Sequence, residues 1–191
     1  MGNSIMNNDS ERYYTGIGSR KTPDHIKKLM GIIAMECYRD GLHLRTGDAL
    51  GADYAFVQGY AKGADYAFVQ GYANITGTFN HPKSKKCTVY SADSVDINLR
   101  EHLWAYATVD AYHPAPSKLS NYSRDLMARN AMQVLGENGD SPCEFVICWT
   151  PNGSRSGGTG QALRIAEAYN IPIYDLGLKD VYEFCYTWFK L

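Results

Sequence analysis

The chain lacks the marks of several large functional classes. Its 19 Lys and Arg are offset by 20 Asp and Glu, a formal net charge of −1 over 191 residues. A protein that coats nucleic acid usually carries a cationic excess, because neutralising phosphates supplies most of the affinity. The balance here favours a small anionic ligand over a polyanion. No apolar run approaches the roughly 18 residues of a membrane span, and no signal-peptide pattern precedes the first expected strand. Met1-Gly2 has no Ser or Thr at residue 6, so the myristoylation pattern fails. The five cysteines (Cys37, Cys87, Cys143, Cys148, Cys185) are odd in number and form no C-x-x-C pair, which argues against a disulfide framework or a zinc site. Reduced, mostly buried thiols in a cytoplasmic protein are expected, with Cys143 and Cys148 on opposite faces of one strand. His25, His43, His81, His102 and His113 show no metal-ligand spacing. Neither a metal nor a cofactor is expected.

What is present fits one folded unit. Hydrophobic residues make up 45% and charged residues 20%, close to globular averages, and the length suits a single domain. Residues 1–11 are polar and read as a loose tail, and 12–191 as the domain. Arg12 to Thr15 read as a strand entering the turn Gly16 to Thr22. Thr22 is an expected N-cap ahead of Pro23, for a helix to Asp40 with Ile26, Leu29, Met30, Ile33 and Cys37 on one face. Leu42–Arg45, Cys87–Ser91, Phe145–Trp149 and Ile171–Tyr174 read as strands. Ser94–Asp110, Leu119–Leu135, Thr159–Tyr169 and Val181–Phe189 read as helices. Strands alternating with helices predict an α/β, Rossmann-like, doubly wound and mostly parallel sheet with helices on both faces.

One segment is anomalous. Gly51 to Ala61 (GADYAFVQGYA) recurs unchanged as Gly63 to Ala73, so 51–62 and 63–74 form a tandem duplication. Structural repeat families drift, and two copies cannot build a solenoid. A twelve-residue shift turns helical phase by about 120°, so both copies cannot bury the same face of one straight helix. The first copy is expected to hold the native position, because it alone continues directly from the Arg45–Leu50 loop.

Three glycine-rich turns follow three expected strands, and in open α/β sheets ligands gather at the strands' carboxyl ends. In Gly153-Ser154-Arg155-Ser156-Gly157-Gly158-Thr159-Gly160 the glycines let backbone approach a phosphate, and the helix start supplies N–H donors. Arg155 and Arg164 flank them as expected partners for anionic oxygens. Gly153 and Gly158 have P-loop spacing, but Thr159 stands where a P-loop needs Lys, which argues against an ATPase. Arg155 also occupies the place where a hydrolase elbow needs Ser. The turn Gly16-Ile17-Gly18-Ser19-Arg20 has Lys21 at the third glycine of a dinucleotide fingerprint. Around Thr46-Gly47-Asp48, Asp53 is either a helix cap or a ligand contact; Arg129-Asn130 on the later helix either reaches the same cleft or, the favoured reading, forms a solvated helix face.

Taken together, Tyr14 to Arg20, Arg45-Thr46-Gly47 with Gly51-Ala52-Asp53, and Gly157-Gly158-Thr159-Gly160 resemble the SLOG superfamily, and within it the DprA-like group common in bacteriophage genomes. Ala128 to Gly136 and Val146 to Thr150 resemble that group too, and the likeness spans roughly residues 12–176. It implies a Rossmann-like fold with a ligand phosphate near the GGTG turn. Together with the chemistry of the three turns, the expected contacts are Gly16, Gly18, Ser19, Arg20, Gly47, Asp53, Arg155, Gly157, Gly158, Thr159, Gly160 and Arg164. The superfamily includes LOG-type phosphoribohydrolases, single-strand DNA-binding recombination mediators and sensors of nucleotide signals in antiviral defence. Against the LOG pattern P-G-G-x-G-T-x-x-E, Ser156 replaces Pro, Gln161 replaces Thr and Arg164 replaces the catalytic Glu. That exchange removes an acid/base group and leaves only Asp53 and Glu167 as carboxylates for catalysis. The leading expectation is therefore a binder of a phosphate-bearing nucleotide derivative (ADP-ribose-like or cyclic), in a phage sequestering a host immune signal. A nucleoside monophosphate N-glycosidase and a DprA-like partner of single-stranded DNA are the alternatives, and a homo-oligomer is left open.

Overall fold

A computed structural model describes residues 11–47, 51–65, 87–90 and 102–188. Their order is β1 (Tyr13–Gly18), α1 (Asp24–Arg39), β2 (His43–Gly47), α2 (Ala52–Asp65), β3 (Cys87–Tyr90), α3 (Leu103–Tyr112), α4 (Asn121–Leu135), β4 (Val146–Trp149), α5 (Gly157–Ala168), β5 (Ile173–Asp175) and α6 (Lys179–Trp188). The strands form one parallel sheet in the order β3-β2-β1-β4-β5. This is the expected Rossmann-like α/β fold. The chain winds outward from β1 in both directions, so the topological switch lies between the carboxyl ends of β1 and β4. No described helix is long and apolar enough to cross a membrane.

Two apolar clusters sandwich the sheet. On one face Tyr14, Leu44 and Ile147 meet Ile26, Met30 and Ile33 of α1, Phe56 of α2 and Cys185 of α6. On the other, Ile17, Val146 and Cys148 meet Val109 of α3, Ala128, Ala131 and Val134 of α4, and Leu163 and Ile165 of α5. Each fully buried Leu, Ile, Met or Phe contributes roughly 1.5–3 kcal/mol, enough to fix which helix covers which face. Polar pins add register: Thr15 on β1 donates to the Gln133 carbonyl of α4 at 2.6 Å, and Thr46 on β2 to the Gly16 carbonyl at 2.6 Å.

The buried face of α1 is the expected one, with Ala34 added. Its start differs. β1 runs on to Gly18, Pro23 rather than Thr22 is the N-cap, and no side chain caps the helix. Thr22 is engaged elsewhere, its hydroxyl donating to the Ser19 carbonyl at 2.6 Å and closing the β1–α1 turn. Cys143 and Cys148 are also placed otherwise than expected. Cys143 precedes β4 instead of lying in it, and both thiols pack into the same cluster. Cys37, Cys143, Cys148 and Cys185 are free and buried. α4 begins at the hydroxyl cap of Ser120, which accepts from Ser123 N at 3.2 Å, and ends at Gly136.

The first copy of the duplication forms α2. Ala52, Ala55 and Phe56 are buried, and Gly59 lies so close to Gly31 of α1 that a Cβ there would overlap the facing backbone. The second copy beyond Asp65 lies outside the described residues, as do Asp48, the first part of the expected Ser94–Asp110 helix (94–101) and the tail to Ser10.

Candidate functional site

A cleft of about 740 Å³ opens at the switch point. Its floor is the end of β1 and β4 (Ile17, Gly18, Trp149), its sides the β1–α1 turn and the first turn of α5, and its roof α4. Such a crevice follows from the topology, because the β1 and β4 connections leave to opposite faces of the sheet.

On the α5 side, Gly157, Gly158 and Thr159 line the cleft. The first intrahelical bond runs from Gly160 N to the Ser156 carbonyl at 3.1 Å, and Ser156 supplies no side-chain cap. Its hydroxyl accepts from Ser154 Oγ at 3.0 Å instead. The amides of the first turn therefore have no intrahelical acceptor, and they lie beside the cleft at the positive end of the helix dipole. Gly157 has φ +63°, a left-handed conformation that glycine adopts without penalty.

On the β1 side, Ser19, Arg20 and Lys21 line the cleft. Ser19 Oγ accepts from Lys21 N at 3.0 Å, which with the Thr22 pin holds the turn in one shape. Gly51, at φ +104°, lets the α2 start press against the Ser19–Arg20 backbone. That contact places Asp53, in the first turn of α2, beside the same cleft.

The roof is where sequence reasoning fell short. Arg129 and Asn130 are not a solvated face: they are 7% and 3% exposed and line the cleft, with Tyr122, Ser123, Leu126 and Met127 before them. Every residue of α4 from Met127 to Leu135 is buried, because this helix is covered by α3, α5 and the sheet at once. An all-round burial of polar and apolar residues alike has no helical periodicity to read. Asn130 Nδ2 donates to the Gly158 carbonyl at 2.9 Å, tying the roof to the start of α5. Behind it, Asp53, Arg129 and the fully buried Gln133 converge on Gly47. A Cβ there would stand 3.0 Å from Gln133 Nε2 and 3.3 Å from an Arg129 guanidinium nitrogen, and would run into the Asp53 carboxylate. Glycine at 47 is what makes room for this polar cluster.

Of the residues expected around a phosphate, Gly18, Ser19, Arg20, Asp53, Gly157, Gly158 and Thr159 are brought together. Gly16, Gly47 and Gly160 lie behind the lining, Gly16 against Phe56 and Gly160 against the Arg155 backbone. Arg155, Arg164 and Glu167 fall outside it. Arg155 pairs with Glu167 at 2.9 Å and reaches buried Asp175 at 3.6 Å. Arg164 donates to the Tyr112 carbonyl at 3.0 Å, the Arg155 carbonyl at 2.8 Å and Gln161 Oε1 at 2.8 Å. Its burial lowers its pKa, opposed by Glu167. One helical turn past the glycines, Arg164 sits on the side of α5 that packs on α3 and clamps helices in place of a phosphate. Glu167 is exposed, on the outer surface of α5. Asp175 holds the β4–α5 wall: it accepts from Thr150 N at 2.9 Å, Thr150 Oγ1 at 2.5 Å and Gly177 N at 2.9 Å. Among the described residues no cluster of His, Cys, Asp and Glu could hold a metal ion.

The sheet order defines a Rossmann-like α/β protein, with a cleft at its switch point. No family model matches the chain, and no curated protein does. Among solved structures, the chain is similar to DNA processing protein A from Helicobacter pylori, described for its unique single-stranded DNA binding mode. The TM-score is 0.51 and the identity 16%, over 95% of this chain and 82% of that one. At that identity the likeness shows a DprA-like Rossmann-type fold.

Proposed function

We propose that this chain binds a phosphate-bearing nucleotide derivative, with the phosphate on the first turn of α5. The observation that carries the reading is the meeting, in one cleft, of uncapped amides at Gly157–Thr159 with Arg20, Lys21 and Arg129. Backbone donors at a helix start and nearby guanidinium groups are complementary to phosphate oxygens. Asp53 adds an acceptor suited to sugar or base, and Tyr122 an aromatic face at the rim. The cleft volume is within the range of small-molecule sites. In a phage such a binder would sequester a host nucleotide signal. Calorimetric titration with AMP, ADP-ribose and cyclic AMP tests the reading; saturable binding of at least one is expected, and none by any would overturn it.

The fold neighbour favours a second reading, a partner of single-stranded DNA. The exposed Arg20 and Lys21 beside exposed Tyr122 would offer charge and stacking to a strand crossing the cleft mouth. Gel shift with single-stranded DNA at two salt concentrations separates the two, since strand binding weakens steeply as salt rises. Turnover, with Asp53 as the one carboxylate lining the cleft among the described residues, is checked by chromatography for free base after incubation with nucleoside monophosphates.

A further inference from the structure

Asn130 holds a polar atom that the fold orients and leaves without a partner. Its residue is 3% exposed, its Nδ2 is committed to the Gly158 carbonyl at 2.9 Å, and its Oδ1 is buried with no hydrogen-bond partner among the described residues. The bond to Gly158 also fixes the amide's orientation, because only the nitrogen can donate to a carbonyl. The atom left over is thus an acceptor, on a residue that lines the cleft and touches the α5 first turn. A buried acceptor without a donor costs about 1–3 kcal/mol, and a ligand O–H or N–H would relieve that cost.

We infer that Asn130 Oδ1 accepts a ribose hydroxyl, so that the cleft takes ribonucleotides in preference to deoxyribonucleotides. This rests on the phosphate placement proposed above and adds the sugar to it. The donor must lie one side chain away from the amides that hold the phosphate. In a 5′-nucleotide the ribose hydroxyls lie nearer the phosphate than the amines of the base do. A phosphate oxygen is the poorer partner, since a monoester with a second pKa of about 6 is mostly the dianion at neutral pH and faces Oδ1 as a second acceptor.

The test is titration of the full chain with AMP, its 2′-deoxy and 3′-deoxy analogues, and purine riboside 5′-monophosphate, which lacks the exocyclic amine. One of the two deoxy analogues should bind about tenfold more weakly than AMP, and loss of the amine should change little. Asn130→Ala should bring AMP and that deoxy analogue to equal affinity. If this variant fails to fold, the comparison on the unaltered chain decides by itself. Equal affinity for AMP and both deoxy analogues, a loss confined to the amine-free analogue, or discrimination that survives in Asn130→Ala would each overturn the inference. So would a failure of AMP alone to bind, whereas failure of ADP-ribose and cyclic AMP as well overturns the phosphate reading beneath it.

Discussion

Asp175→Ala should destabilise the chain by about 3–5 kcal/mol, the range seen when one partner of a buried charged network is removed. The residue is 1% exposed, and its carboxylate accepts from Thr150 N, Thr150 Oγ1 and Gly177 N at 2.5–2.9 Å. Hydrogen bonds to a charged group are worth about 1.5–3 kcal/mol each, but three that share an acceptor do not add. The substitution strands two backbone amides and leaves Arg155 with Glu167 alone. Asp175→Asn should cost less, about 1–2 kcal/mol: its Oδ1 still takes both amides, and its Nδ2 donates to the Thr150 hydroxyl, which can accept. Urea unfolding followed by circular dichroism measures both, and the m-value should not change, because the surface exposed on unfolding is the same. The melting temperature should fall by roughly 6–20 °C for Ala, at about 2–4 °C per kcal/mol for a chain of this size. An Ala variant within 1 kcal/mol of the parent, or an Asn variant as unstable as Ala, would refute this account of the β4–α5 wall.

Arg164→Lys should lower stability by about 2 kcal/mol, since a single ammonium cannot reach the carbonyls of Tyr112 and Arg155 and the Gln161 amide together; nucleotide affinity should stay within twofold, read by urea unfolding and by titration. Deletion of 63–74 should leave the unfolding midpoint unchanged or raised, and a loss above about 1 kcal/mol would show that the second copy carries structure. Burial pushes the Cys37 thiol up to about 12, Cys143 up to about 11, and Cys148 well above its ordinary value. The thiolate is the reactive form, so at pH 8 these three should resist iodoacetamide in the native state and alkylate in urea, as read by mass spectrometry. Native labelling of Cys143 or Cys148 at a free thiol's rate would contradict their placement.

The sheet, its winding and the glycine turns were legible because each has a local cause: the apolar run before Trp149, the Ile26–Cys37 face, the glycines where strands end. The errors share a different origin. Arg164 and Arg129 have the same charge and both sit on helices near the glycines. Which one reaches the cleft depends on how α5 rotates against α3 and how α4 lies across the sheet. Those are packing outcomes between distant segments, absent from any window of sequence. Thr22 shows the same on a small scale, its hydroxyl drawn off the helix start by the Ser19 carbonyl three residues back.

The close seat of α2 on α1 bears on the duplication. The groove is fitted to Ala52, Ala55, Phe56 and the bare Gly59, and the sequence offers the same set again as Ala64, Ala67, Phe68 and Gly71. Side-chain complementarity is therefore blind between two registers of one chain. What separates them is tether length: the first copy enters from β2 through a short loop, and each doubling of such a loop costs about 0.6 kcal/mol. The choice of tenant falls to polymer statistics and the order of synthesis. Deleting either copy should also leave the same groove occupied, by helices that differ only in Lys62 or Asn74 at the end of the repeat.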